Sequence, residues 1–191
     1  PRGPWGQTLG AWQKWFAEKH RDQPEAVLPV QAEGSKWTYA DLLEFLTSES
    51  GRNGNAQRGR LVFEKSQCIK CHRYGTQGEG IGPDLSNVAR RFQRKEILQS
   101  VIFPSQVISD QFAAKTVITT DGRTHTGLVG PTADGVVVLQ ANTEKVAIAK
   151  DDIESIVPRK LSARPEGLFH ELTLEESDDL FAFMAVPAET K

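Results

Sequence analysis

The stretch Cys68-Ile69-Lys70-Cys71-His72 constrains this chain more than any other. Two thiols three positions apart can each add across a vinyl group of one haem, and the adjacent imidazole is then held beneath the iron as its proximal ligand. Two other chemistries share Cys-x-x-Cys. A structural zinc site wants four Cys or His ligands, yet the 191 residues hold two cysteines in all, and the remaining histidines are scattered at 20, 125 and 170. A thioredoxin-like dithiol is expected at the start of a helix in a βαβ pattern, whereas here a helical segment precedes the motif and a glycine-rich loop follows it. The reading carried forward is one covalent haem c on Cys68 and Cys71 with His72 as an iron ligand, and a chance dithiol is what stands beside it.

That cofactor would consume both cysteines and leave none for a disulfide. The length is a prior for one to two domains with a sizeable core. Hydrophobic residues at 38% and charged residues at 25% are a globular balance, and a formal net charge of −2 without a long basic run gives no general attraction to nucleic acid. No apolar stretch approaches the roughly 20 residues that cross a bilayer. The chain opens at Pro1 with neither initiator Met nor leader pattern, and is expected to be an excised or processed piece. Because haem c is attached outside the bacterial cytoplasm, a periplasmic or otherwise exported location is expected.

Along the chain, Trp12, Trp15 and Phe16 fall at i, i+3 and i+4, which puts them on one helix face; core packing is the ordinary reason, and an exposed docking stripe the sharper one. Pro24 and Pro29 bracket an extended linker. Thr38 can cap a helix through Leu42, Leu43, Phe45 and Leu46, with Asp41 as its acidic partner and Gly51 beyond its end. Ala56 to Gln67 reads as the helix that delivers Cys68. Four glycines from Gly75 to Gly82 lack the Gly-Lys-Ser/Thr ending of a phosphate cradle, so close approach of backbone to a flat macrocycle is expected there. Asn87 to Phe103 reads as two short helices carrying Arg90, Arg91, Arg94 and Lys95, either a solvated face or partners for haem propionates, with Arg91 as the candidate contact.

From Phe112 to Val157 the hydrophobic period changes from helical to alternating. Turn signals at Asp121-Gly122 and Asp134-Gly135 separate four short strands, and Asp151 to Val157 adds a helical turn and a fifth. Five strands of this length suggest a small SH3-like or Sm-like β-barrel. His125 has no partner ligand and reads as a surface residue. Thr173-Leu174-Glu175-Glu176 is a capping box that opens a last helix through Leu180, Phe181, Phe183 and Met184.

These features together resemble a known family: the haem-binding, class I cytochrome c-like domain at the C-terminal end of large exported bacterial dehydrogenase-like multidomain proteins. The resemblance runs from about Ala56 to Ala185 through Cys68-Ile69-Lys70-Cys71-His72, Ile81-Gly82-Pro83-Asp84-Leu85, Phe103-Pro104-Ser105, Thr120-Asp121-Gly122-Arg123, Asp152-Ile153-Glu154 and Pro165-Glu166-Gly167-Leu168. It implies that Gly59 and Phe63 form the small-plus-aromatic face on which the first cytochrome helix crosses the last. It also implies that Pro83 lies against the proximal histidine and that its carbonyl, or a neighbour's, accepts from the imidazole. In the family a Met stands before Pro-Glu-Gly-Leu and looks like the distal iron ligand, whereas here Arg164 stands there, and a guanidinium has no lone pair to give iron. Met184, Lys160 and His170 are the replacement candidates, and an open position is the alternative to all three.

The expected fold class is therefore α+β, a class I cytochrome c-like helical domain with an inserted SH3-like or Sm-like barrel. Residues 1–50 would be an N-terminal helical or linker segment, 51–110 and 158–191 the haem domain, and 111–157 the insert. The function expected is electron transfer through the haem, from a dehydrogenase domain of the same parent chain or a redox partner protein, with no catalytic residues. A sensor or peroxidase-like site with an open distal position near Arg164 is the alternative. A docking role for the barrel ranks last, since residues 112–157 offer neither an aromatic platform nor a basic stripe.

Overall fold

The computed structural model describes residues 4–23, 29–31, 33–106 and 108–188; Pro24, expected at the head of a linker, lies outside them. The chain divides into two compact units, Pro1–Val30 and Gln31–Lys191. The first holds helix α1 (Pro4–Lys19). Trp12 stacks on Phe16 with ring centroids 5.4 Å apart, and Phe16 meets a tilted His20 ring at 4.7 Å. The face expected to be a core stripe is solvent-facing instead, with Trp12 and Trp15 each 49% exposed. Its unit contains no second described element against which one helix could bury a face.

The expected boundary at residue 50 moves to Val30, because helix α2 (Tyr39–Thr47) belongs to the core of the second unit. Its N-terminus is closed by the capping box anticipated from Thr38 and Asp41, and Leu42 and Leu46 are each 1% exposed within the main cluster. Helix α3 (Ala56–Lys65) starts on Asn55, whose Oδ1 accepts from the backbone of Gln57 (2.9 Å) and Arg58 (3.0 Å). Short helices α4 (Val88–Arg91) and α5 (Arg94–Ile102) follow, and α6 (Leu174–Ala185) closes the unit behind the Thr173/Glu176 capping box.

Helix α3 packs on α6 at a point where one side chain must be missing. A Cβ on Gly59 would run into the Asp179 carbonyl and the Phe183 Cβ. One turn later the Phe63 ring lies 5.5 Å from Phe183, and the tilted Tyr74 ring lies 4.4 Å from Phe183. The crossing is flanked by buried acids: Asp179 accepts from the Asn55 N–H (2.6 Å) and from Arg58 (2.6 and 2.8 Å), and Asp178 accepts from Arg94 (2.9 Å). Arg94 thus takes neither role expected of the basic cluster, a solvated face or a propionate partner, and ties α5 to α6.

Between α5 and α6 lies a five-stranded antiparallel sheet made of β3 (Ala113–Thr119), β4 (Thr124–Pro131), β5 (Gly135–Gln140), β6 (Lys145–Ala149) and β7 (Ile153–Ser162). It follows the two-stranded hairpin β1 (Arg73–Tyr74) and β2 (Gln77–Gly78). The strand order β6-β5-β4-β3-β7 is a meander whose last strand returns beside its first. This corrects the expected barrel: β6 and β7 are the two edges, no ladder joins them among the described residues, and the sheet stays open. On β5 the consecutive residues Val138 (0% exposed) and Leu139 (2%) point to opposite faces and are both buried, so this sheet is covered on two sides. Val117, Val138 and Ile148 form a small core of its own on one side. Among the described residues no helix is long and apolar enough to cross a membrane.

Candidate functional site

Helix α3 ends by a left-handed residue, Gln67 (φ 60°), which turns the chain into a single 3-10 turn, Cys68–Lys70. Within it the backbone N–H groups of Cys71 and His72 both donate to the Cys68 carbonyl, at 3.2 and 2.9 Å. The β1–β2 hairpin then sends the chain back over the motif, where Glu79 N–H donates to Ile69 O (3.1 Å) and Gly82 N–H to Cys71 O (2.8 Å). Two of the loop glycines, Gly78 and Gly82, lie against the motif itself. A Cβ on Gly82 would sit 3.0 Å from the Cys71 carbonyl and 3.1 Å from His72 Nδ1.

This return places the Pro83 carbonyl 2.8 Å from His72 Nδ1. A carbonyl only accepts, so Nδ1 carries the proton and Nε2 keeps its lone pair. Burial pushes the imidazole pKa down to about 4, against the Pro83 hydrogen bond and with help from the positive charge of Arg164, so the ring is neutral at pH 7. Burial likewise pushes Cys68 up to about 12 and raises Cys71, each partly offset by Arg164. A neutral imidazole with a free nitrogen beside two protonated thiols is the donor set a haem c would meet. Among the described residues no group of three or more His, Cys, Asp or Glu side chains converges as a metal cluster.

Cys68, Cys71, His72 and Pro83 line one cavity of about 670 Å3. That lies within the roughly 300–1,000 Å3 of cofactor and small-molecule sites. Its apolar walls come from Phe63, Leu85, Val88, Ile97, Leu168 and Leu180, with Met184 beside them. Arg91 stands at an exposed part of the lining, its guanidinium 5.4 Å from the Phe92 ring centroid. Arg164 also lines the cavity, and its guanidinium donates to the Ser100 carbonyl. The structure separates the other distal candidates from this place. Lys160 is exposed on β7, and His170 lines a different cavity of about 10 Å3, with its Nε2 buried and unpartnered.

Residues 56–124 match the family model for cytochrome c. That match supports a cytochrome c-like haem-binding domain, to which covalent haem c belongs. It begins with α3 and ends as β4 begins, so it takes in the motif and the Pro83 loop but neither α6 nor Arg164. No match was found among curated proteins.

Sequence reasoning missed how much of the site the cytochrome c-like domain takes from the sheet. Leu128 and Leu139, cross-strand partners on β4 and β5, line the cavity together with Gln140 and Thr143. The β5–β6 turn is tied down on the motif side: Lys70 donates to the Thr143 hydroxyl (3.1 Å), and Lys145 pairs with Glu79 (2.6 Å). Thr143 holds φ 68°, a left-handed position that β-branched residues rarely take. One signal was available. Val136-Val137-Val138-Leu139 is a continuous apolar run, the pattern of a strand buried on both faces and not of one with a wet side.

Proposed function

We propose that the chain is a c-type cytochrome that passes electrons through one covalently attached haem, on the periplasmic or otherwise exported side, from a dehydrogenase domain or a redox partner protein. The observation that carries this reading is the convergence of Cys68, Cys71 and His72, which lie in the segment that matches cytochrome c, with Nε2 free, on one largely apolar cavity of about 670 Å3. The bound haem would supply the one-electron chemistry of its iron. The chain's own residues do the rest. Cys68 and Cys71 would tether the group, and His72 would ligate the metal through Nε2. The Pro83 carbonyl fixes the imidazole ring and raises its basicity. The apolar lining would shield the bound group from water. Arg91 would meet a carboxylate of the group, and Met184 is the thioether in the cavity lining that would be available as a second ligand. The sheet, in this reading, is a wall of the cofactor site and not a separate docking module.

The test is expression of the whole chain with a haem c maturation system, followed by haem staining of a denaturing gel and the spectrum of the reduced pyridine adduct. One haem per chain that survives denaturation is expected, and a Cys68→Ala/Cys71→Ala double variant should lose it. A chain that retains no haem after denaturation would overturn the reading. So would a reduction potential well below that of the donor's cofactor.

A further inference from the structure

Among the described residues, Gln67 and Thr143 are the two non-glycine positions with a left-handed backbone, at φ 60° and 68°. They lie in distant segments, at the end of α3 and in the β5–β6 turn, and one side chain joins them. The Lys70 ammonium carries three N–H donors, and Nζ donates to Thr143 Oγ1 (3.1 Å) and to Gln67 Oε1 (3.3 Å). Lys70 is an inner residue of the Cys68–His72 motif and stands outside the cavity lining, to which Gln67, Gln140 and Thr143 all belong.

The two left-handed residues differ in their local reasons. A helix commonly ends on such a residue, which accounts for Gln67. Thr143 has no such cause in its own segment. Its N–H donates to Gln140 O and the Gln140 N–H to Glu144 O, each at 2.9 Å, so Ala141-Asn142-Thr143 is a three-residue hairpin loop. Such a loop closes on a left-handed third residue, and glycine takes that place without steric cost. A β-branched side chain there opposes its own backbone, and strain of that kind persists only where the surroundings hold it. What Thr143 has and glycine lacks is the hydroxyl that receives Lys70. A second tie holds the other arm of the turn: Lys145, the first residue of β6, pairs with Glu79 at 2.6 Å, and the Glu79 N–H donates to Ile69 O inside the motif at 3.1 Å. Each tie reaches solvent and is weak alone, but both fix the same turn to the same motif.

We infer that Thr143 is a positioning residue, kept against its backbone preference so that, through Lys70, it holds the β5–β6 turn closed as the cavity wall beside the attachment motif. This deepens the haem c reading above and rests on it. A turn held there limits water at the motif side of the cavity. Water stabilises the more highly charged oxidised iron, so releasing the turn lowers the reduction potential.

The experiment measures two quantities on the full-length, haem-loaded protein: the urea midpoint by far-UV circular dichroism, and the reduction potential by a redox titration followed in the Soret band. Thr143→Gly should leave the urea midpoint at or above wild type while lowering the potential. The ratio of reduced to oxidised protein at the wild-type midpoint potential should fall roughly 2- to 10-fold, the range of one hydrogen bond. Thr143→Ser, which keeps the hydroxyl, should keep the wild-type potential. Lys70→Met should lower the potential too, and Lys70→Met/Thr143→Gly should fall no further than Lys70→Met alone.

An unchanged potential in Thr143→Gly would overturn the inference. An additive double variant would do the same, since Thr143 would then not act through Lys70. A urea midpoint that falls together with the potential would give Thr143 a purely structural role and overturn it as well. All three outcomes leave the haem c reading standing, whereas a chain that carries no covalent haem overturns both.

Discussion

At the scale of single residues, most of what this site needs is polar chemistry committed to fixed partners. His72 is the plainest case: one nitrogen is committed to Pro83 O, and the other is left with its lone pair. Asp179 is the structural counterpart. Burial pushes its carboxyl up, but the hydrogen bonds from Arg58 and from the Asn55 N–H outweigh this and hold it below the ordinary carboxylate range. A depressed folded pKa contributes stability that is fully present above the ordinary value of about 3.9 and is lost as pH falls through the folded value. Acid titration of unfolding should therefore show wild-type stability falling below about pH 4, and Asp179→Asn should flatten that part of the curve. At pH 7 the variant should be less stable by about 1–3 kcal/mol. Arg58 is 64% exposed, so its share is screened and the sheltered Asn55 bond carries more of the effect. An unchanged acid limb in Asp179→Asn would refute this assignment.

At the scale of elements, the crossing of α3 and α6 decides where the motif is delivered. Local preference and tertiary contact oppose each other at Gly59. In an isolated helix Ala is better than Gly by about 1 kcal/mol. Here a Cβ would meet the Asp179 carbonyl, and overpacking of this kind costs about 1–3 kcal/mol. Gly59→Ala should lower the denaturation midpoint, measured by urea titration, even though it improves helix propensity. A raised midpoint would mean that α3 and α6 are not pressed together as described.

At the scale of the molecule, the sheet is inserted in sequence but shared in space. Leu128 and Leu139 face the same cavity as the motif, and two polar ties hold the β5–β6 turn to it. A sheet that contributes a cavity wall cannot unfold without opening the site. Thermal or denaturant unfolding of residues 31–191 should then follow one transition, with far-UV circular dichroism and Soret absorbance coincident. Loss of sheet signal before the Soret change would make the insert an independent unit.

The motif, its donor chemistry, the capping boxes at Thr38 and Thr173, and the change of period at Phe112 are all written in short-range spacing, and the sequence alone determined them. The Pro83 contact with His72 came from resemblance, and the fold brings the two together. What only the tertiary structure decided is of a different kind. The open edges of the sheet, the pairing of Arg94 with Asp178, the half-exposed Trp12 and Trp15, and the return of Leu139 and Thr143 to the motif all depend on which distant segments meet. So does the separation of Arg164 from Lys160 and His170, neighbours in sequence that the chain sends to different surroundings. Periodicity tells which face of an element is buried. It carries no information about what covers that face, and at this site the cover is half of the chemistry.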